Sequence, residues 1–188
     1  MDQSLKPRGA ALDAALIPMF TALIAIGAFI RIPVGLVPVS LQTLFVILAG
    51  IMLGPRRGAY AVLLYVFLGL AGLPVFTAGG GPQYVLHPTF GYLLGMVPAA
   101  YIAGSFAQRS RRRNTKLLFL GAVLALLSIY SLGLLWLYLI RNLYMGSNTP
   151  FLILLQTGVL IFLPSDLFFC LTAAFAGKRL GPMVNRLN

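Results

Sequence analysis

Asp166 is the one acidic residue after Asp13 in a chain of 188 residues, and it stands in an apolar stretch, 151–177, that carries no other charge. A carboxylate at the centre of a membrane helix costs roughly 2.5–3.5 kcal/mol, so such groups face a cavity or a partner rather than acyl chains. In a dry setting a carboxylate accepts charge-assisted hydrogen bonds from N–H groups. The chemistry expected of Asp166 is the holding of a small polar solute. Pro164 lies two residues earlier, removes a helix hydrogen bond, and predicts an internal kink beside the acid.

Other polar candidates fall where apolar runs begin or end. Gln42 and Thr43 open the second run, and a glutamine amide both donates and accepts, which suits an amide-like solute. The alternative is an ordinary polar helix end. Thr89, Gly91 and Tyr92 open the fourth run, where Tyr92 offers either an aromatic wall with a polar tip or a member of the interfacial belt. Between them, residues 73–84 read LPVFTAGGGPQY. Gly79, Gly80 and Gly81 allow positive φ and close backbone approach, as in a lid whose amides meet a ligand, or serve as a plain connector. Arg141 ends the fifth run and either snorkels or reaches inward; Trp136 and Tyr138 precede it.

Catalytic patterns are missing. The chain has no G-x-x-x-x-G-K-[ST] loop for ATP, no H-E-x-x-H and no G-x-S-x-G elbow. One histidine, His87, and one cysteine, Cys170, exclude a His-rich metal site and an internal disulfide. No metal, no cofactor and no enzymatic activity are expected.

The elements that must position these residues are membrane helices. The chain is 60% hydrophobic and 9% charged, whereas soluble domains carry about 25% charged residues. Apolar windows long enough to cross about 30 Å of hydrocarbon recur, without the alternation of a barrel. The expected fold is an all-α bundle of six spans, residues 10–32, 41–53, 58–73, 88–107, 117–139 and 151–177, forming one domain. Spans two and three are short and separated sharply by Gly54, Pro55 and Gly58. Residues 32–40 are too apolar for an aqueous loop and predict a cover packed on protein rather than a strand.

A net charge of +11 would suit nucleic acid, but its placement argues against that partner. Under six spans, 12 of the 14 Lys and Arg side chains fall on one face, and only Arg31 and Arg141 on the other. Cationic residues accumulate in cytoplasmic loops, so both termini are expected in the cytoplasm and the protein in the cell membrane. The basic run 109–116 (RSRRRNTK) reads as a topology-fixing loop that touches anionic lipid headgroups. Ala10, Ala14 and Ala22, with Pro18 between, form a small-residue stripe on span one, suited to internal packing or to docking another membrane subunit.

Residues 38–76 (PVSLQTLFVILAGIMLGPRRGAYAVLLYVFLGLAGLPVF), the glycine loop, 87–95 (HPTFGYLLG) and 163–167 (LPSDL) together resemble the BioY family, along nearly the whole chain. That family comprises the biotin-capturing S components of energy-coupling factor transporters. The resemblance implies a six-helix bundle that takes biotin from outside and pairs with a transmembrane coupling subunit and two ATPases. Carried to matching positions, it implies a pocket of Gln42, Gly79–Gly81, Thr89, Gly91, Tyr92 and Asp166, and a docking stripe of Ala14, Pro18 and Ala22, the middle alanine being replaced by proline. Phe76, Tyr92 or Trp136 would cover the bicyclic ring, and Arg31 or Arg141 would meet the solute carboxylate. One departure stands out: the family pattern P-x-D-L-x-K ends here in Phe169. Asp166 then needs Arg31, Arg141 or a proton of its own in place of the lysine. The departure keeps a second solute class open, another vitamin-like molecule, beside the remoter readings of an intramembrane enzyme and a purely structural subunit.

Overall fold

A computed structural model describes residues 6–32, 39–110 and 114–185. The helices are α1 (Lys6–Phe29), α2 (Gln42–Leu53), α3 (Pro55–Leu70), α4 (Phe90–Arg109), α5 (Thr115–Tyr138), α6 (Phe151–Leu155) and α7 (Leu163–Asn185). Four helical stretches are long and apolar enough to cross a membrane: Leu12–Phe29, Phe90–Arg109, Thr115–Tyr144 and Phe151–Leu180. Large apolar side chains such as Phe29, Phe67, Leu127, Leu135, Phe168 and Phe175 project from the bundle, as expected of a multi-pass protein whose exterior solvent is lipid.

α2 and α3 rise about 18 Å and 24 Å at 1.5 Å per residue, less than a bilayer core. α2 is tolerated because it is wrapped by protein: Val46, Ile47, Ala49, Gly50, Ile51 and Leu53 are all buried. Glycines set the distances. A side chain on Gly50 would strike the Ala100 carbonyl, one on Gly58 would meet the Gly50 backbone, and one on Gly104 the backbone of Pro55. Thus α2, α3 and α4 meet backbone to backbone. Gly54 takes φ 87° between α2 and α3, and Pro55 is the first residue of α3, where its missing N–H is harmless. Pro55 therefore starts the third helix, three residues before the predicted span.

Two further corrections concern backbone. Arg31–Ile32 and Val39–Ser40 form a short antiparallel pair, β1 and β2, so the ends of the predicted cover are a strand ribbon; residues 33–38 of that cover lie outside the described residues. Pro164 makes no internal kink. The last span is instead broken before it: α6 runs into a π-helical stretch, Gln156–Leu160, a turn follows, and α7 restarts at Leu163. Proline is accepted in that first turn. α5 likewise ends in a π-helical stretch, Leu139–Tyr144.

At the opposite end of the molecule from the restart, Arg57 on α3 pairs with Asp13 on α1, Nε to Oδ1 at 2.7 Å. That accounts for the other acidic side chain among the described residues. Ala14, Pro18 and Ala22 are all exposed on α1, so the small-residue stripe is not used for packing within the chain.

Candidate functional site

Six polar side chains are buried among the described residues: Thr21, Gln42, Thr43, Thr89, Ser110 and Asp166. Two have structural work. Thr21 Oγ1 lies 2.9 Å from the carbonyls of both Ile17 and Ala61, which share its one hydrogen, and Ser110 Oγ accepts from the Asn114 backbone N–H. The other four, Gln42, Thr43, Thr89 and Asp166, line one cavity. Buried polar groups gathered on one empty space, rather than spread through the core, mark it as a binding site.

Asp166 reaches the cavity from the first turn of α7. The break at residues 161–162 makes that turn a helix N-terminus within the bundle, and a helix N-terminus favours negative charge. Tyr130 on α5 donates to Asp166 Oδ2 at 2.6 Å, and Thr43 is a second side chain bonded to the carboxyl group. Among the described residues Asp166 has no ion pair. The carboxyl group's partners are hydroxyl donors, and neither Arg31 nor Arg141 lines the cavity. Phe169, at the lysine's position, is half-buried outside the cavity wall.

Next to Thr43, Gln42 at the start of α2 is 4% exposed; its Nε2 makes no hydrogen bond of ordinary geometry, and its amide lies beside the Tyr65 hydroxyl. An unmet buried donor costs about 1–3 kcal/mol, so this amide is aimed at something that accepts. Ser40, Thr77, Tyr84 and Thr89 complete the polar wall, with 3.1 Å contacts from Thr77 to Tyr84 and from Tyr84 to Thr89. Leu93, Met96, Ile129, Phe162 and the ring of Tyr92 supply the apolar wall. Tyr92 spends its hydroxyl on the Gly158 carbonyl at 2.8 Å, so its contribution to the cavity is the ring.

Other predicted site residues lie elsewhere. Phe76 is core: its ring fills the space left by Gly69 and packs on Tyr65 and Tyr84 at 5.4 and 4.5 Å. None of Gly79, Gly80 and Gly81 lines the cavity, and two of their amides bond backbone instead. Gly79 N–H bonds the Phe76 carbonyl at 3.2 Å and Gly81 N–H the Gly69 carbonyl at 2.7 Å. Gly79 and Gly81 need their positive φ, 113° and 105°, to fold that tight turn, which seats Thr77 and Tyr84. Gly91 makes room for Trp136 rather than touching the cavity. Arg141 is in the π stretch after α5, its Nε buried without a partner and outside the cavity wall. Trp136 packs edge-on against Phe90 at 5.7 Å.

A match to the BioY family runs over residues 1–186. The chain belongs to that family. Named relatives agree: a "Probable biotin transporter BioY" of Lysinibacillus sphaericus is 39% identical over 169 residues, 90% of this chain and 86% of that protein. A "Biotin transporter BioY" of Rhodobacter capsulatus is 40% identical over 162 residues, covering 82% and 85%. A crystal structure of the S-component for biotin from an ECF-type ABC transporter superposes with a TM-score of 0.82 at 27% identity, covering 94% of both chains. In this BioY-family chain, the polar cavity residues that sequence reasoning passed over are Ser40, Thr77, Tyr84 and Tyr130, together with the apolar Leu93, Met96, Ile129 and Phe162. Tyr130 had no local signal, since Ser128 and Ser131 flank it and lie outside the cavity wall.

Proposed function

We propose that this chain captures biotin at its extracytoplasmic face and delivers it as the S component of an ECF-type ABC transporter. The observation that carries the reading is the gathering, in one cavity, of the buried Gln42 amide with a set of acceptors, Asp166 and the hydroxyls of Thr77, Tyr84 and Thr89. A cyclic urea offers the complement, one carbonyl flanked by two N–H groups. Gln42 donates to the urea oxygen, Asp166 accepts from one ureido N–H and the Thr77–Tyr84–Thr89 hydroxyls from the other, and the Tyr92, Met96 and Phe162 surfaces cover the thioether ring. The family membership and the names borne by its relatives support the same ligand. Arg141, with its unpartnered Nε, is the cation assigned to the solute carboxylate; Arg31 on β1 is exposed.

The cavity measures about 60 Å³, below the roughly 300 Å³ of small-molecule pockets. Biotin therefore enters by displacing part of the cover, and the turn carrying Thr77, Tyr84 and Thr89 is the polar part of it. Six spans with cytoplasmic termini place this cover outside and the basic loops inside, against the lipid and the partner subunits. The exposed Ala14, Pro18 and Ala22 are the surface proposed for the coupling subunit, and energy comes from two ATPase partners.

Equilibrium binding of radiolabelled biotin to the purified protein, with other vitamins as competitors, tests this. Biotin should bind and resist competition, and Asp166→Asn should weaken it at least tenfold, about 1.4 kcal/mol. Unchanged affinity in that variant removes Asp166 from the ligand. Displacement by a different vitamin favours the second reading, which Phe169 in the lysine position motivates.

A further inference from the structure

His87 closes the 3₁₀ turn Pro82–Leu86 that precedes α4. Its ring stacks on Tyr84 at 4.8 Å and 22°. Nδ1 lies 2.7 Å from Thr89 Oγ1 and accepts the Thr89 backbone N–H at 3.3 Å. An amide only donates, so Nδ1 carries a lone pair and the ring proton sits on Nε2. The Thr89 hydroxyl hydrogen then points at Nδ1. The 3.1 Å contact between Tyr84 and Thr89 must use the hydrogen of Tyr84, the only one left. The 3.1 Å contact between Thr77 and Tyr84 must in turn use the hydrogen of Thr77. Three hydroxyls on the cavity wall thus spend every hydrogen along a chain that ends at His87.

We propose that His87 is a specificity-determining positioning residue: by fixing the direction of this chain it makes the Thr77–Tyr84–Thr89 wall purely accepting, and so selects a solute that presents N–H donors there. This rests on the reading of the cavity as a biotin site and assigns a part of its discrimination to a side chain outside the cavity wall. A second proton on His87 reverses the chain. Nδ1–H would donate to Thr89, Thr89 to Tyr84 and Tyr84 to Thr77, leaving the Thr77 hydrogen turned toward the solute. Burial holds the His87 imidazole below its ordinary range, which keeps the accepting arrangement in place near neutrality. Tyr84 is the titratable group stacked on the ring. Tyr92 of α4, Tyr130 of α5 and Asp166 of α7 are those on the cavity, and Arg31 is the cation on the strand paired with Ser40.

The test is radiolabelled biotin binding to the purified full-length protein between about pH 5 and pH 8, the window of an imidazole, in wild type, His87→Asn and His87→Leu. Asparagine places an acceptor oxygen where Nδ1 lies and does not titrate. His87→Asn should keep neutral-pH affinity within about threefold and lose the acid-side weakening that wild type shows; Asp166 is common to both proteins, so its titration cancels in the comparison. His87→Leu should bind about tenfold more weakly at neutral pH, as for a lost buried partner, and should discriminate less against biotin methylated on a ureido nitrogen. Superimposable pH profiles of wild type and His87→Asn overturn the inference and leave the biotin reading intact. Absence of biotin binding by wild type at every pH overturns both.

Discussion

At the scale of single residues, the site answers a problem of charge. Asp166 is a buried carboxyl group without an ion pair among the described residues, held by Tyr130 at 2.6 Å, by Thr43 and by its position in the first turn of α7. A hydrogen bond to a charged group contributes about 1.5–3 kcal/mol. Tyr130→Phe should therefore lower both thermal stability and biotin affinity, the latter about tenfold or more, whereas Phe169→Lys should not be needed for binding. Gln42→Leu isolates the opposite role. It removes an amide that makes no hydrogen bond of ordinary geometry and only lies beside the Tyr65 hydroxyl, so the fold should lose little stability while affinity falls about tenfold. A variant that melts lower and binds biotin normally would show that Gln42 is a structural group and sink its assignment to the urea oxygen. Gln42 and Asp166 were legible in the sequence because polar residues in apolar runs are conspicuous. Tyr130 was not, because a tyrosine among serines in a membrane helix has many ordinary uses.

At the scale of elements, the walls stand where they do because glycines let helices touch. α4 and α5 share the longest contact of the bundle. Gly133 receives the Tyr92 ring, Gly91 receives Trp136, and Gly95 lies on the Ile129 backbone. Filling one of these spaces overpacks the interface at a cost of about 1–3 kcal/mol. Gly133→Leu should thus lower the detergent melting temperature by several degrees and, because it pushes on the ring of Tyr92, weaken biotin binding as well. Unaltered melting would mean the helices separate freely and that Tyr92 is not locked. Gly50 and Gly54, and Gly91 and Gly95, stand four residues apart in the sequence; which partners they admit is decided only by the fold. Proline shows the same limit. Pro55 separates α2 from α3 as read, by beginning the third helix, whereas Pro164, read as a kink, stands in the first turn of α7, since φ near −65° and a missing N–H suit a first turn as well as an interruption.

At the scale of the whole molecule, apolar side chains fill the bundle and cover its outside, and most of the buried polar groups gather on one cavity, with one stripe on α1 left unused. Ala14, Pro18 and Ala22 are exposed and far in the chain from every cavity residue. Ala22→Trp should leave biotin affinity unchanged and abolish uptake in cells that also express the coupling subunit and its ATPases. Uptake at the wild-type rate would move the docking surface elsewhere. The amino-acid sequence alone determined the solvent, the membrane class, the bundle of apolar helices and the family, because composition and run length respond to lipid directly and long ordered motifs leave few alternatives. It also singled out Gln42, Thr89, Tyr92 and Asp166 for the site. Tertiary structure alone decided that the glycine loop binds its own backbone, that Phe76 is core, and that Tyr130 and the Thr77–Tyr84–Thr89–His87 chain reach the same cavity. Those outcomes depend on where hydrogen-bond donors find acceptors across helices and turns distant in sequence, and no spacing along one chain specifies that.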